Sequence, residues 1–250
     1  MVSVSRIAPR MVSIWVGGEG LEAFADAPPT AHLKVFLPAR GQSEPLLPAY
    51  TPEGQVWEHG EALRPTVRTY TPRRYDPASG TLEIQFVLHG VGPASEWAER
   101  ASVGDRLAVA GPGGRFSLDE AAVDWWIAAD ESAIPALGTL LEALPSSATA
   151  RVHVEVAGSD DEMQLMSPAK TSVTWHHRDP RARGAALLDA AGMDGIAPNA
   201  RVWVACEAAG MRAIRRRLIA ERPIRPAFMV TRGYWRAGEQ NHPDHDYGED

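Results

Sequence analysis

The hydrophobic rhythm of this chain changes once, near residue 120, and that change limits the fold more than any single motif. Before it, short strand-like runs span Met11 to Val16, His32 to Leu37, Val67 to Tyr75, Leu82 to Leu88 and Arg106 to Ala110. Gly17-Gly18, Pro38, Asp76-Pro77-Ala78-Ser79-Gly80 and Gly111-Pro112-Gly113-Gly114 punctuate them as turns. Strands at this spacing predict a small antiparallel barrel of about six strands. Pro93 to Ala101 reads as a short helix with proline in its first turn. Gly41 to Gly60, carrying Pro45, Pro48 and Pro52, reads as a surface loop. After the change, apolar runs at Val123 to Ala129, Arg151 to Val156, Ser172 to His176, Arg201 to Cys206 and Phe228 to Thr231 alternate with helix-like segments. Those segments are Ile134 to Leu144, Arg183 to Ala191 and Ala209 to Glu221. Alternation of this kind predicts a doubly wound parallel α/β sheet. The polar link Ser117 to Asp124 divides the chain into an expected barrel domain, residues 1–118, and an expected α/β domain, residues 119–250.

Composition removes several function classes. A net charge of −7 with no compensating basic stripe argues against nucleic acid. No apolar run approaches the length of a membrane span, and Met1 to Arg10 lacks the apolar core of a secretion signal. Cys206 is the single cysteine, so there is no intrachain disulfide and no cysteine-rich iron–sulfur site, which fits a reducing, cytoplasmic setting. Redox chemistry would have to come from a bound organic cofactor.

Residues 68 to 97 carry the equipment for one. Arg68-Thr69-Tyr70-Thr71-Pro72-Arg73 alternates cation, aromatic ring and hydroxyl on a β-type run. An arginine meets a phosphate with its fork of donors, a tyrosine ring packs on a conjugated face, and a threonine hydroxyl reaches a ring heteroatom. The strand ending Val87-Leu88 then opens through His89-Gly90-Val91-Gly92-Pro93-Ala94-Ser95-Glu96-Trp97 into a helix start, where free backbone N–H groups suit a pyrophosphate.

These residues resemble the siderophore-interacting protein family, flavin-dependent ferric-siderophore reductases related to the ferredoxin–NADP reductases. Asp130-Glu131-Ser132-Ala133-Ile134-Pro135-Ala136 resembles that family's Gly-Asp-Glu-Thr-Ala-Leu-Pro-Ala. Trp203-Val204-Ala205-Cys206-Glu207-Ala208 resembles its Trp-x-Ala-Gly-Glu-Ala, and Gly233-Tyr234-Trp235-Arg236-Ala237-Gly238 its closing Gly-Tyr-Trp-Arg-x-Gly. The resemblance implies a barrel that holds FAD and a sheet that holds NADPH or NADH, with reduced ferredoxin as the alternative donor. It implies FAD contacts from Arg68, Tyr70, Thr71, Arg73, Val87, His89, Gly92, Ala94, Ser95 and Trp97. It implies nucleotide contacts from Asp130, Glu131, Ser132, Cys206 and Glu207, and an anionic ferric siderophore bound by Lys34, Arg115 and Arg236. A monomer is expected.

Each position also has a plain structural reading. Asp130 or Ser132 would cap a helix, a contribution of about 1 kcal/mol. Cys206 would serve as a small buried hydrophobe. Ala129 stands where the family has glycine, and no Gly-x-Gly-x-x-Gly fingerprint occurs. Arg215-Arg216-Arg217 reads as a solvated helix face. The His242 to Asp246 tail reads as unpacked rather than metal-binding. The alternatives to siderophore reduction are a flavin reductase or electron-transfer flavoprotein with another acceptor, and a flavin or siderophore carrier without turnover.

Overall fold

The computed structural model describes residues 1–52, 54–114, 116–178, 182–222, 224–239, 242, 246 and 247, with the side chains of 50 and 55 set aside. The chain forms two compact units, residues 1–116 and 117–250.

The first unit contains strands β1 (Ser3–Ala8), β2 (Met11–Gly17), β3 (His32–Leu37), β4 (Ala49–Thr51), β5 (Gly54–Val56), β6 (Thr66–Tyr70), β7 (Arg74–Asp76) and β8 (Thr81–Val87), helix α1 (Pro93–Arg100), and strand β9 (Ala108–Gly113). Hydrogen bonding joins them into a four-stranded sheet ordered β1-β2-β8-β7, a three-stranded sheet β6-β3-β9, and the small β4-β5 hairpin. All pairings are antiparallel. The two larger sheets share one core. Alternate residues of β2 (Val12, Ile14, Val16), β3 (Leu33, Val35, Leu37) and β8 (Leu82, Ile84, Phe86) meet in it, and Ala94 and Ala98 of α1 pack against them. The antiparallel β half therefore stands as expected, as two sheets closed over a common interior rather than one continuous hydrogen-bonded ring.

The second unit contains β10 (Asp124–Asp130), α2 (Ile134–Ala143), β11 (Thr149–Val156), β12 (Lys170–His177), α3 (Ala185–Met193), β13 (Arg201–Glu207), α4 (Ala208–Glu221) and β14 (Met229–Trp235). Its five strands pair in parallel in the order β12-β11-β10-β13-β14. The central strands are buried on both faces, which is why they read as unbroken apolar runs. Helices α3 and α4 bury Leu187, Ala190, Met211, Ile214 and Leu218 against Trp126, Ala128, Val202 and Val204. Strand order reverses between β10 and β13. In an open parallel sheet, the crevice at the carboxyl ends of those two strands is where ligands bind.

Three features depart from the sequence reading. The Val67 to Tyr75 run is two strands in different sheets, because Pro72 has no N–H to continue a ladder. The Gly41 to Gly60 loop contains the β4-β5 hairpin. Asp246 and Tyr247 are packed: Gly233 N donates to the Asp246 carbonyl, Arg212 pairs with the Asp246 carboxylate at 2.8 Å, and Thr231 Oγ1 donates to the Tyr247 carbonyl.

Gly184, just before α3, has φ of +79°, and a Cβ there would stand 3.1 Å from Gly210 Cα at the start of α4. Gly184→Ala should therefore lose about 1–3 kcal/mol of stability in urea denaturation, from left-handed strain and the close approach. Gly158→Ala, where φ is −168° and nothing lies within 4 Å, should stay within about 0.5 kcal/mol of wild type. Equal effects at the two positions would contradict the packing described.

Candidate functional site

In the first unit the Arg68-Tyr70 strand faces inward. Leu33 pairs with Tyr70 and Val35 with Arg68 across the β3–β6 ladder, so both motif residues project to the side of the shared core. Tyr70 lies against Phe86 at 4.3 Å between ring centroids, and Phe86 is 5.9 Å from Trp97. Burial raises the Tyr70 phenol well above its ordinary range, against a smaller opposing pull from the Arg68 charge, so the hydroxyl stays protonated. Arg68 is half-buried and donates to the Val67 carbonyl at 2.8 Å. Thr71 is buried, and Arg73 N donates to the Glu83 carbonyl at 2.9 Å.

The strand-to-helix turn is closed by one bond. His89 N donates to Ser95 Oγ at 3.0 Å, folding the exposed His89 back over the first turn of α1. Gly92 takes φ of +90° immediately before the helix, a conformation that favours glycine. Beyond it, the first N–H groups of α1 have no carbonyl one turn earlier to accept them. Ala94 and Ser95 are buried beneath this turn, and Val87 is half-buried at the end of β8. A guanidinium, a left-handed glycine and a helix N-terminus form a donor set that fits a phosphate-bearing cofactor in chemistry. Trp97, expected at an adenine, packs its ring toward Phe86 and the core.

Lys34 lies on the opposite face of the same sheet from Arg68 and Tyr70. It pairs in register with Thr69 and donates to Thr69 Oγ1 at 2.7 Å. Arg115 lies outside the described residues. Arg236, just past β14, is exposed and paired with Glu239 at 3.2 Å.

The carboxyl edge of the second unit is rich in acid. Asp130, at the end of β10, is almost wholly buried. Its Oδ1 accepts from Ser132 N at 2.9 Å and from Ser132 Oγ. Its Oδ2 accepts from Glu207 N at 2.9 Å and Trp235 Nε1 at 2.8 Å. Burial, and then the neighbouring Glu131 charge, push its pKa up to about 6, against the pull of those hydrogen bonds. The Glu207 carboxylate caps α4, accepting from Ala209 N at 2.7 Å and Gly210 N at 3.0 Å, while Ala237 N approaches its other oxygen at 3.3 Å. Glu155, at the end of β11, accepts from Gly184 N at 3.0 Å ahead of α3. At this edge the N-terminus of α4 and the residue just before α3 thus each meet a carboxylate from the chain itself.

Arginines balance the cluster. Arg178 pairs with Glu131 and reaches Glu155 at 3.4 Å. Burial opposes its charge, but the two glutamates outweigh that and hold the guanidinium above its ordinary value. Arg183 stacks over the Trp235 ring at 5.0 Å and approaches Glu131 at 4.0 Å. Of the two sequence readings of Asp130, capping is what its hydrogen bonds to Ser132 display. Sequence alone marks Glu155, Arg178 and Arg183 only by their position at strand ends and before a glycine-led helix, whereas Trp235 lies in the closing Gly-Tyr-Trp-Arg motif.

Cys206 is wholly buried in the apolar cluster beneath α3 and α4. Burial, with the charges of Asp130, Glu155 and Glu207, raises its thiol well above the ordinary value. A protonated, enclosed thiol is what the packing role requires.

Residues 1–116 match the family described as the siderophore-interacting FAD-binding domain, and residues 122–238 match the siderophore-interacting protein family. The chain belongs to the siderophore-interacting protein family. It is 32% identical to the ferric vibriobactin reductase ViuB of Vibrio cholerae over 96% of this chain and 89% of that protein. It is 33% identical to an NADPH-dependent ferric-chelate reductase of Escherichia coli over 95% of this chain and 91% of that protein. Uncharacterized proteins of Mycobacterium tuberculosis reach 38% identity over 185 residues, 73% of this chain but only 65% of their own length. A solved siderophore utilization protein from T. fusca superposes with a TM-score of 0.85 at 33% identity, over 98% of this chain and 94% of that one. Among the described residues, no helix is long and apolar enough to cross a membrane.

Arg178→Met should leave Glu131 and Glu155 without their shared cation and cost about 3 kcal/mol at pH 8. With one cation fewer beside the cluster, Asp130, already raised to about 6, would bind its proton more readily still in the folded than in the unfolded chain, so the deficit should shrink as pH falls toward 5.5. Urea denaturation at the two pH values measures this, and an equal cost at both would contradict the electrostatic account.

Proposed function

We propose that this chain is an FAD-dependent ferric-siderophore reductase that takes electrons from NADPH or NADH. The overall balance is one nicotinamide hydride and two ferric chelates giving the oxidised nucleotide, one proton and two ferrous products. Hard siderophore oxygens bind iron(II) far more weakly than iron(III), so reduction is also release. The observation that carries this reading is the placement of the Arg68-Tyr70 strand and the Gly92-led α1 N-terminus within the segment that matches the siderophore-interacting FAD-binding domain. The names of the Vibrio and Escherichia relatives support the acceptor, and the latter supports NADPH.

FAD, when bound, supplies the conversion of a two-electron hydride into single-electron deliveries. The chain supplies the rest. Arg68 offers its guanidinium to a phosphate, and the first turn of α1 offers backbone N–H groups, with His89 over that turn. Tyr70, held protonated by burial, presents a neutral ring and hydroxyl. In the second unit, the switch-point edge with Glu131, Ser132 and the rim arginines receives the nucleotide. Lys34, Arg236 and Arg115 provide local positive charge for an anionic chelate in an otherwise acidic protein. No protein acid or base is needed. The single cysteine, buried as a thiol, suits the cytoplasm.

A reduced ferredoxin as donor is the second reading. It is favoured by one feature: the first-turn N–H groups of α4, which could have received a pyrophosphate, already donate to Glu207.

Arg68→Ala should purify with little flavin, because a charge-assisted phosphate contact contributes about 1.5–3 kcal/mol. Flavin absorbance per mole of protein reads the effect, and full occupancy in the variant would remove Arg68 from the site. Lys34→Ala and Arg236→Ala should each weaken binding of a ferric tris-catecholate by about 1 kcal/mol, roughly fivefold, while leaving flavin content unchanged. Added salt should weaken wild-type binding of the anionic chelate more than of a neutral one. Fluorescence titration at two ionic strengths tests this; unchanged affinity for both chelates would displace the acceptor from these residues.

A further inference from the structure

Asp130 does more than cap the turn that follows it. Through Oδ1 it accepts from Ser132, and through Oδ2 it accepts from the N–H of Glu207, the last residue of β13, and from the indole of Trp235 at the end of β14. One carboxylate thus joins the carboxyl ends of β10, β13 and β14, on both sides of the switch point. Glu207 reinforces the same junction by approaching Ala237 N, two residues beyond Trp235. The segment pinned between these two acids is Trp235-Arg236-Ala237. Tyr234, just before it, is half-buried, and its phenol is pushed up to about 12 by desolvation, partly offset by Arg232 and reinforced by the Asp130 charge.

We propose that Asp130 is a positioning residue: by holding the Trp235 indole it fixes where β14 ends and where Arg236 presents its guanidinium. The part concerning Arg236 rests on the chelate assignment made above. The hydrogen bond and the proton are linked. The Trp235 bond favours the ionised carboxylate, so protonation of Asp130 must weaken that bond by the same factor. The groups facing Asp130 are Glu131 and Ser132 on its own turn, Cys206 and Glu207 from β13, and Tyr234 and Trp235 from β14. Arg178 and Arg183 reach it only through Glu131. Cys206 and Tyr234, both raised, do not ionise near neutrality. The sign follows. Asp130 binds its proton more readily in the folded than in the unfolded chain, so its contribution favours the fold increasingly as pH drops from 7 through about 6 toward 4.

The first arm of the test needs neither donor nor acceptor. Carboxyl carbon resonances of Asp-labelled protein and the Trp235 indole N–H resonance, assigned with Asp130→Asn and Trp235→Phe, are followed from pH 4.5 to 8. In wild type, the Asp130 carboxyl and the Trp235 indole should report one shared inflection near 6. Trp235→Phe, which keeps the ring but removes the donor, should move the Asp130 inflection to higher pH, and Asp130→Asn should abolish the indole inflection. An unmoved Asp130 titration in Trp235→Phe, or an indole that still titrates in Asp130→Asn, overturns the proposal. The chelate arm follows. Asp130→Asn should bind a ferric tris-catecholate several-fold more weakly than wild type at pH 7, with a flatter pH profile between 5.5 and 7.5. Wild-type affinity and profile in that variant would overturn the positioning of Arg236. If Arg236→Ala itself binds as wild type does, the chelate assignment falls, and the resonance data alone decide the role of Asp130.

Discussion

The second unit is organised around acids that have been taken out of water. Asp130, Glu155 and Glu207 are nearly inaccessible, and Glu131 lies among them. Isolated carboxylates in such a place would be expensive. Each is instead met by donors that the fold itself creates: Gly184 ahead of α3, the N-terminus of α4, the indole of Trp235 and the guanidinium of Arg178. The parallel strands must end in register for these donors to converge. Helix α3 must then begin at a left-handed glycine close against Gly210, because a side chain at either position would separate the two helix starts. The strand ends, the helix starts and the closing motif therefore converge on one electrostatic cluster, and that cluster lies where a parallel sheet binds its ligands.

Much of the fold was legible in sequence. The continuous apolar runs of β10 and β13 announced buried parallel strands because both their faces are covered, while the edge strand β12 alternates between exposed and half-buried residues. Pro145 and Gly192 fall within two residues of real helix ends. The missed elements were those that bury little. Strand β1 is almost wholly exposed, so Ser3 to Ala8 carries no alternating signal, and the β4-β5 hairpin lies in a polar, proline-containing loop. The Val67 to Tyr75 run looked continuous because its residues are β-formers throughout, and only Pro72 betrays the change of sheet.

The candidate site was half legible. Local motifs located Arg68, Tyr70, the Gly92-led turn and Asp130. The partners that give them chemistry come from elsewhere in the chain. Glu155 sits opposite His176 in the β11–β12 register, and that pairing brings Arg178, two residues further on, to the carboxylates. Trp235 reaches Asp130 across 105 residues. Spacing along the chain cannot reveal such pairs, because strand order sets them. Likewise, the alternation of side chains along β6 suggested that Arg68 and Tyr70 share a face, but only the pairing with β3 shows that this face is the interior and that Lys34 lies on the other.

The most direct measurement of the account is anaerobic stopped-flow spectroscopy of the purified, flavin-loaded protein. Mixing with NADPH or NADH should bleach the oxidised flavin absorbance, and a second mix with a ferric siderophore should restore it while two equivalents of iron(II) are trapped per flavin by a ferrous chelator. A protein whose flavin is reduced by neither nucleotide, nor by a reduced ferredoxin, or whose reduced flavin survives exposure to ferric siderophores, would contradict the assignment.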